Sequence, residues 1–362
     1  MKIKNIFFAA ILVFAGFSCS MEDDAIMNDV EKGIEEATEA YTVLDFGVAF
    51  NEMATKASTT VVPGEDRPAT GNENNDEKKV SEVSVFLLED GKVIGILKSQ
   101  NMNQVSSNSD GSITLKDLKF VTKYKTNRTL DAHVVINGNQ FLKNINIGDA
   151  QSALNQQISG CLSADQLIKY GSTRIVFGKD ITNSYSSPSV AENNPTTILV
   201  KVSHVAARLD FSQFDVTLEG IGGNPTVVFD EAKFVNLQQN GKIVEGDASV
   251  NVKDGAFLNR SNRIGTGWTD MGTAYGYANQ YKQDSEMNTA LYVKFTVDGR
   301  TFEKTYPINP AGITKEVNHT GIKGGYLYDI KVHWTITPKW GDSTIEFYTR
   351  DWVHNTIPEV VL

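Results

Sequence analysis

Residues Tyr41 to Lys56 read YTVLDFGVAFNEMATK, and this stretch decides how the rest of the chain is interpreted. Successive side chains of a β-strand point to opposite faces, so alternation of residue types shows which face is apolar. One face of this stretch consists of Thr42, Leu44, Phe46, Val48 and Phe50. Burial of four large apolar side chains is worth about 6 to 10 kcal/mol. The stretch therefore predicts a strand that is held in an apolar groove.

The next stretch, Ala57 to Lys79, predicts a flexible linker. It contains three Asn, two Gly and two Pro, and hardly any large apolar residue. Such a composition cannot bury enough surface to remain ordered. A protease that cut this linker would leave the preceding strand held by noncovalent contacts alone. A competing strand could then replace it.

Length and charge limit the possible functions. The 362 residues are enough for two domains of ordinary size after removal of an amino-terminal leader. The net charge of −10 argues against binding to a nucleic acid or an anionic lipid surface through a basic patch. The five His are scattered without metal-ligand spacing, and no nucleophile motif or acid/base pair of carboxylates is present. We therefore expect no enzymatic activity, no metal and no cofactor.

The amino terminus predicts an export signal. Two lysines near Met1 precede the apolar run Ile6 to Phe17, which is too short to span a bilayer. The run ends at Cys19 in a pattern that resembles the lipobox of bacterial lipoproteins, except that Gly16 replaces the usual Leu. This resemblance implies lipidation of Cys19, and the alternative is plain secretion with cleavage near Ser18. The acidic residues that follow resemble the surface-export tag of some Gram-negative lipoproteins, and the alternative is a solvated tether.

The cysteine content excludes an intrachain disulfide bond if Cys19 is acylated. Only Cys161 then remains. A lone cysteine in an exported protein is more often a small buried apolar residue than a nucleophile. We therefore expect stability to come from the β-sheets and the hydrophobic core.

Alternating apolar runs between turn residues predict an all-β protein. Two short helices are predicted in the first half, at Ala150 to Ile158 and from the capping box of Ser163 and Gln166 to Gly171. The Pro- and Asn-rich Ser187 to Thr197 marks a domain boundary. The pattern thus indicates two sandwich-like domains in series, the first with a small helical insertion. The predicted strands are Val80 to Leu88, Lys92 to Leu97, Ile113 to Val121, Thr129 to Ile136, two or more within Ile198 to Leu218, Thr226 to Phe229, Ala232 to Leu237, Leu291 to Val297, Thr301 to Ile308, Tyr328 to Ile336 and Thr344 to Val353.

Five segments resemble the major fimbrial subunits (fimbrillins) that build the type V pili of Bacteroidales, and together they span nearly the whole chain. The resemblance implies two tandem transthyretin-like β-sandwich domains at 57–194 and 195–362. A lipoprotein signal peptide (1–19) and a propeptide with the first strand (20–56) would precede them. The segments are the leader ending at Cys19; Tyr41 to Phe50 followed by a basic residue; KKVSEVSVFLLEDG (Lys78 to Gly91); VKVSHVAARLDF (Val200 to Phe211); and the pair GGYLYDIKVHWTI (Gly324 to Ile336) and FYTRDWV (Phe347 to Val353).

The resemblance also implies a route of assembly. The precursor would reach the cell surface as an outer-membrane lipoprotein with a transient lipid anchor. A trypsin-like or gingipain-like protease would then cut after a basic residue, here Lys56 before Ala57. The family usually has Arg at this position, and Arg67 is the alternative, although the following Pro68 disfavours cleavage. An ordinary solvated loop lysine is the other interpretation of Lys56.

After the cut, loss of the placeholder strand would open a groove for the carboxyl-terminal strand of a neighbouring subunit. The partners implied are other copies of the chain and minor fimbrial subunits, assembled into an adhesive fimbrium. Pro358 removes one hydrogen-bond donor from the donor strand, so an intramolecular last strand with a frayed end is the alternative. The donor residues would be Trp352, Val353, Ile357, Val360 and Leu362.

A second hypothesis is a surface lipoprotein that binds glycans through its β-sandwich modules. Trp268, Tyr275, Tyr277 and Tyr281 lie in a Gly-rich stretch and would form an aromatic platform. The alternative, which we favour, is that they pack a long loop onto its domain. Ser106 to Asp117 has nearly the spacing of a calcium loop, but its first and last ligand positions are unsuitable, so a hairpin turn is favoured there.

Overall fold

The computed structural model describes residues 39–50, 75–99, 105–107, 113–259, 263–279, 286–308, 321–339 and 341–351. Within these ranges the protein is all-β, as predicted. Helical structure there consists of the α-helix α1 (Pro188–Glu192) and short 3₁₀ turns at Asn75–Lys78, Asn139–Phe141, Gln151–Leu154 and Ala164–Gln166. No helix in the described part is both long and apolar enough to cross a membrane. The strands are β1 (Tyr41–Phe50), β2 (Val83–Glu89), β3 (Lys92–Ser99), β4 (Val105–Ser107), β5 (Ile113–Lys123), β6 (Thr129–Ile136), β7 (Gln157–Ser159), β8 (Lys169–Val176), β9 (Thr196–His204), β10 (Ala207–Leu218), β11 (Val227–Val235), β12 (Leu237–Gln238), β13 (Asn240–Lys242), β14 (Val252–Lys253), β15 (Phe257–Asn259), β16 (Arg263–Ile264), β17 (Gly267–Gly276), β18 (Ala290–Val297), β19 (Arg300–Pro307), β20 (Tyr326–Ile336) and β21 (Gly341–Asp351).

The first half of the chain forms an eight-stranded sheet of order β3-β2-β6-β8-β9-β1-β5-β4. β8 and β9 pair only at Lys169 with His204 and at Tyr170 with Ser203, so the sheet is split at this junction. Gly171 lies at the split, where a Cβ atom would be 1.9 Å from the carbonyl oxygen of Lys201. Apolar side chains from the two parts of the sheet, including those of β1, β2, β6 and β9, share one buried cluster. The arrangement is that of a β-sandwich.

The second half is built from a four-stranded layer and a five-stranded layer, and in the second of these β16 also pairs with β11. Their strand orders are β17-β10-β20-β21 and β15-β11-β18-β19. Aromatic side chains from both layers fill the space between them, and the ring of Phe214 lies 5.3 Å from Phe229 and 5.4 Å from Phe295 between centroids. Trp334 of β20 adds an edge-to-face contact with Phe295 at 5.0 Å. These contacts bury the rings of Phe214, Phe229, Phe295 and Trp334 between the layers.

A third apolar cluster joins the two halves. It combines Phe86 and Leu142 of the first half with Ile243 and Tyr277 of the second. The short strand β7 also pairs with β13, and β9, which follows the predicted boundary, pairs with β1. The division into domains at residues 194 and 195 remains a prediction.

The predicted strands are confirmed, with ends that differ by a few residues. Two strands predicted between Thr226 and Leu237 are mostly one strand, β11, interrupted by a shift of register between Phe229 and Glu231. Such a bulge inserts a residue without ending the strand.

Both helices predicted in the first half are wrong. The segment Ala150 to Ile158 contains only a 3₁₀ turn, and its end is β7, because Ile158 is buried and pairs with β13. The segment after Ser163 is a single 3₁₀ turn, and Ser163 makes no capping bond to the backbone. Lys169 to Gly171 belong to β8, which pairs with β6. Tertiary strand pairing overrides the local helical signals in both places.

Candidate functional site: the groove around the first strand

β1 lies in the interior of the first sheet and is paired on both edges. It runs parallel to β9, from the pair of Leu44 with Thr196 to the pair of Phe50 with Val202. On its other edge it runs antiparallel to β5, beginning with Tyr41 opposite Lys123. β9 and β5 therefore meet only through β1, and removal of β1 would leave an open slot between them with two unpaired edges.

The side chains of β1 are buried on both faces. Leu44, Phe46 and Val48 have no exposed surface, and all three belong to the apolar cluster of the first sandwich. Val43 points to the opposite face and is also fully buried, and α1 lies against β1. The predicted apolar face is thus present. Burial of these four side chains corresponds to about 8 kcal/mol as an upper bound.

The amino-terminal end of β1 is tied to its surroundings by backbone hydrogen bonds. The N–H of Tyr41 donates to the carbonyl of Tyr185, and the N–H of Tyr185 donates back to Tyr41, both at 2.8 Å. The side chain of Lys123 pairs with Glu39 at the surface, where both groups are more than half exposed. Exposed ion pairs contribute little. The apolar contacts and the two backbone ladders therefore hold the strand.

Several predicted site residues lie outside the described part of the chain. They are the lipidation site Cys19, the cleavage residues Lys56, Ala57 and Arg67, and the donor residues Trp352, Val353, Ile357, Val360 and Leu362. Phe50 is described only by its backbone, which pairs with Val202. The structure therefore brings together Leu44, Phe46 and Val48 and leaves the other assignments as predictions.

The last described strand, β21, lies at the edge of its sheet. It pairs with β20 along its full length, from Gly341 opposite Ile336 to Asp351 opposite Tyr326. The predicted donor segment follows directly after Asp351. The strand predicted at Thr344 to Val353 is confirmed as far as Asp351.

Two of the four aromatic residues of the alternative glycan hypothesis, Trp268 and Tyr277, pack into the protein instead of forming a platform. Trp268 is 8% exposed and stacks on Phe214, with ring centroids 5.4 Å apart. Tyr277 is 1% exposed, and its hydroxyl donates to the carbonyl of Gly160 at 2.6 Å. Tyr281 lies outside the described residues. The packing interpretation is therefore confirmed for Trp268 and Tyr277, but the predicted long loop is wrong for Gly267–Gly276, which form β17 and pair with β10.

A buried charged cluster follows the linker, and sequence reasoning missed it. The carboxylate of Glu77 accepts hydrogen bonds from Arg208 Nη1 at 3.0 Å and from the hydroxyl of Tyr275 at 2.5 Å. Burial raises the pKa of Glu77, and the charge of Arg208 partly opposes this effect. The prediction of a linker up to Lys79 is therefore wrong for residues 75–79, because a buried cation holds them. Arg208 in VAARLDF was the available signal, although Asp210 in the same segment also pairs with it at 2.9 Å.

A second buried cation lies beside this cluster. Lys169 has no exposed surface, and its ammonium donates to the carbonyls of Lys79 at 3.2 Å and Leu167 at 3.3 Å. Burial lowers the pKa of Lys169 to about 7, although the nearby charge of Glu77 opposes this shift.

Two other titratable side chains, those of His133 and Cys161, are partly or fully buried and form hydrogen bonds with neighbouring residues. The ring of His133 bonds to the hydroxyl of Tyr170 at 2.7 Å, and burial lowers the pKa of His133. Cys161 is half-buried rather than fully buried, accepts a hydrogen bond from Gln140, and has a raised pKa because of its burial. Within the described ranges, no three His, Cys, Asp or Glu side chains are grouped as metal ligands would be. The groove around β1 is thus the candidate functional site.

Comparison with solved structures identifies proteins with this architecture. A candidate cell adhesion protein from Parabacteroides distasonis has 16% identity and a TM-score of 0.55, and the alignment covers 88% of this chain and all 100% of that one. A second from the same organism has 13% identity and a TM-score of 0.51, with 87% and 99% covered. A fimbrilin from Porphyromonas gingivalis has 14% identity and a TM-score of 0.48, with 88% and 99% covered.

The first two likenesses show that this chain shares the fold of those proteins. No protein-family model matches the sequence, and no curated protein is significantly similar to it.

Proposed function

We propose that this protein is a structural subunit of a cell-surface fimbria and that it supports adhesion. The precursor is exported as a lipoprotein anchored at Cys19, is cut after Lys56 or Arg67, and polymerises by donor-strand exchange. β1 is then a placeholder, and residues 352–362 of a neighbouring subunit take its position. The observation on which the proposal rests is the burial of β1 between β9 and β5.

Three properties of β1 support its role as a placeholder. It is bonded on both edges mainly through its backbone, which any extended chain can reproduce. Its buried side chains are apolar except for that of Thr42, so a second, largely apolar strand can replace them. It is joined to the rest of the chain through residues 51–74, which contain Lys56 and Arg67.

The surrounding fold agrees with this role. The chain shares its fold with candidate cell adhesion proteins of Parabacteroides distasonis over 87–88% of its length. The donor segment follows an edge strand, so it can reach another subunit without disturbing the sheet pairing of β21. Strand addition of this kind satisfies the open backbone edges that loss of β1 would create.

The proposal is tested by treating the purified precursor with trypsin and separating the products on SDS gels. We expect products that begin after Lys56 or Arg67 and that form SDS-resistant ladders. Two control variants should remain monomeric: one that ends at Asp351, and one in which Lys56→Gln and Arg67→Gln prevent the cut. A precursor that is cut after Lys56 or Arg67 and stays monomeric would contradict the proposal.

A further inference from the structure

Residues 75–82 are fixed to the body of the protein immediately after the linker. Asn75–Lys78 form a 3₁₀ turn, and the side chain of Glu77 within it has no exposed surface. Arg208 of β10 and Tyr275 of β17 both donate to this carboxylate. The turn is therefore held by the second half of the chain.

The backbone just after this turn is held by the first half. The carbonyl of Lys79 accepts from Asn137 Nδ2 at 3.0 Å and from Lys169 Nζ at 3.2 Å. The amide of Asn137 also accepts, through Oδ1, from the N–H of Ser81 at 2.8 Å. The N–H of Lys79 donates to the carbonyl of Asp76 at 3.1 Å. The backbone groups of Lys79 and the N–H of Ser81, which flank the Lys79–Val80 bond, thus have partners within the protein.

This geometry matters because Lys78 and Lys79 form a basic pair that is followed by Val80 and not by proline. The side chain of Lys79 is 54% exposed, so a trypsin-like protease could reach it. Cleavage also requires the carbonyl of the same residue to enter the oxyanion hole of the protease. That carbonyl is occupied by Asn137 and Lys169, and the preceding turn is not extended.

We propose that these contacts form a bracket that protects the Lys79–Val80 bond and sets the downstream limit of the removable segment. The bracket consists of Glu77, Lys79, Asn137, Lys169 and Arg208. It confines proteolysis to residues 51–74 and keeps β2 in place when β1 leaves. The inference extends the proposed function, because it specifies which part of the precursor is released and which part remains in the subunit.

The test is limited trypsin digestion of the full-length precursor, with the amino termini of the products identified by mass spectrometry over time. Lys169→Met removes one donor to the carbonyl of Lys79 and keeps an apolar stem of similar length. We expect products that begin at Val80 to form at least ten times faster in this variant than in the wild type. Lys201→Met, which removes an exposed lysine of β9, is the matched control and should behave as the wild type.

Two further variants separate local release from loss of the fold. Asn137→Asp is nearly isosteric and retains an acceptor for Ser81, but it cannot donate to Lys79. Products that begin at Val80 should therefore form faster in this variant than in the wild type, but more slowly than in Lys169→Met. Adding Lys79→Gln to Lys169→Met should abolish the product that begins at Val80 while upstream cleavage continues. The proposal is overturned if the wild type is cut at Lys79 as fast as at Lys56, or if neither Lys169→Met nor Asn137→Asp exposes this bond.

The readout also distinguishes failure of the bracket from failure of the proposed function. Wild-type products that begin upstream of Asn75 and never polymerise would contradict the fimbrial role and leave the bracket intact. SDS-resistant ladders built from chains that begin at Val80 would support polymerisation and contradict the bracket.

Discussion

β1 and the bracket flank the same linker, yet they are held in opposite ways. β1 is bound by apolar burial and backbone ladders, with Leu44, Phe46 and Val48 in a shared core cluster. The bracket is bound by a buried carboxylate with one guanidinium and by a carbonyl with two buried donors. Apolar contacts and ladders can be reproduced by another strand of similar pattern. A buried ion pair requires a specific charged partner. A strand from another subunit therefore cannot replace the segment that forms the bracket.

The largest effect should come from the core of β1. Phe46→Ala removes a fully buried ring, so we expect it to lower the free energy of unfolding of the uncut precursor by about 4 kcal/mol. Leu199→Ala is the matched control on the neighbouring strand β9, because Leu199 pairs with Gly47 but is 47% exposed. Its effect should be under about 0.5 kcal/mol. Urea unfolding of both variants measures the difference, and equal losses would show that the ring of Phe46 does not anchor the strand.

Loss of one partner of the ion pair in the bracket should lower the free energy of unfolding. Arg208→Met leaves the buried carboxylate of Glu77 without its cation, and we expect a loss of about 3 kcal/mol in the free energy of unfolding. A double variant, Glu77→Leu with Arg208→Met, should recover part of this loss, because the buried carboxylate of Glu77 is gone, although Asp210, which accepts from Arg208 Nε at 2.9 Å, still loses its cation. The same urea titrations test this prediction. A double variant that is less stable than Arg208→Met alone would argue that the pair is not the dominant contact.

The buried Lys169 should make stability depend on pH. Burial lowers its pKa in the folded protein from 10.5 to about 7, so the unfolded chain binds more protons between these values. The free energy of unfolding should therefore rise from pH 7 to pH 9, with a slope of at most about 1.4 kcal/mol per pH unit. In Lys169→Met this contribution should disappear. Denaturant titrations at several pH values measure the slope, and identical slopes for the two proteins would contradict the prediction.

The smallest effect should come from the exposed ion pair at the start of β1. Lys123→Gln removes the contact with Glu39, in which both side chains are 56% exposed. Because water and salt screen such pairs, we expect no measurable change in the urea midpoint of the precursor. A clear loss of stability would mean that charge contributes to the retention of β1, which would weaken the contrast with the bracket.

Alternation of apolar and polar residues depends only on neighbouring residues, and it was enough to predict most of the long strands but not β8 or β17. Leu44, Phe46 and Val48 were recognised as one buried face for this reason. The helices predicted near Ile158 and Ser163 were wrong because strand pairing with distant residues decides those segments.

The bracket could not be predicted from local patterns. Glu77 lies 131 residues from Arg208 and 198 residues from Tyr275 in the chain. The composition around Glu77 is typical of a linker, and only its distant partners make its burial favourable. Arg208 in β10 indicates that an anion is needed beside it, but Asp210 two residues away already meets this need, so the strand does not point to Glu77.

The most direct measurement is native mass spectrometry of the variant that ends at Asp351, after it is cut with trypsin and mixed with a synthetic peptide that has the sequence of residues 352–362. We expect the fragment containing β1 to leave and one peptide to bind to each chain, whereas a scrambled peptide should neither bind nor release the fragment. Retention of the β1 fragment in the presence of excess peptide, or binding of the peptide without release of the fragment, would contradict donor-strand exchange.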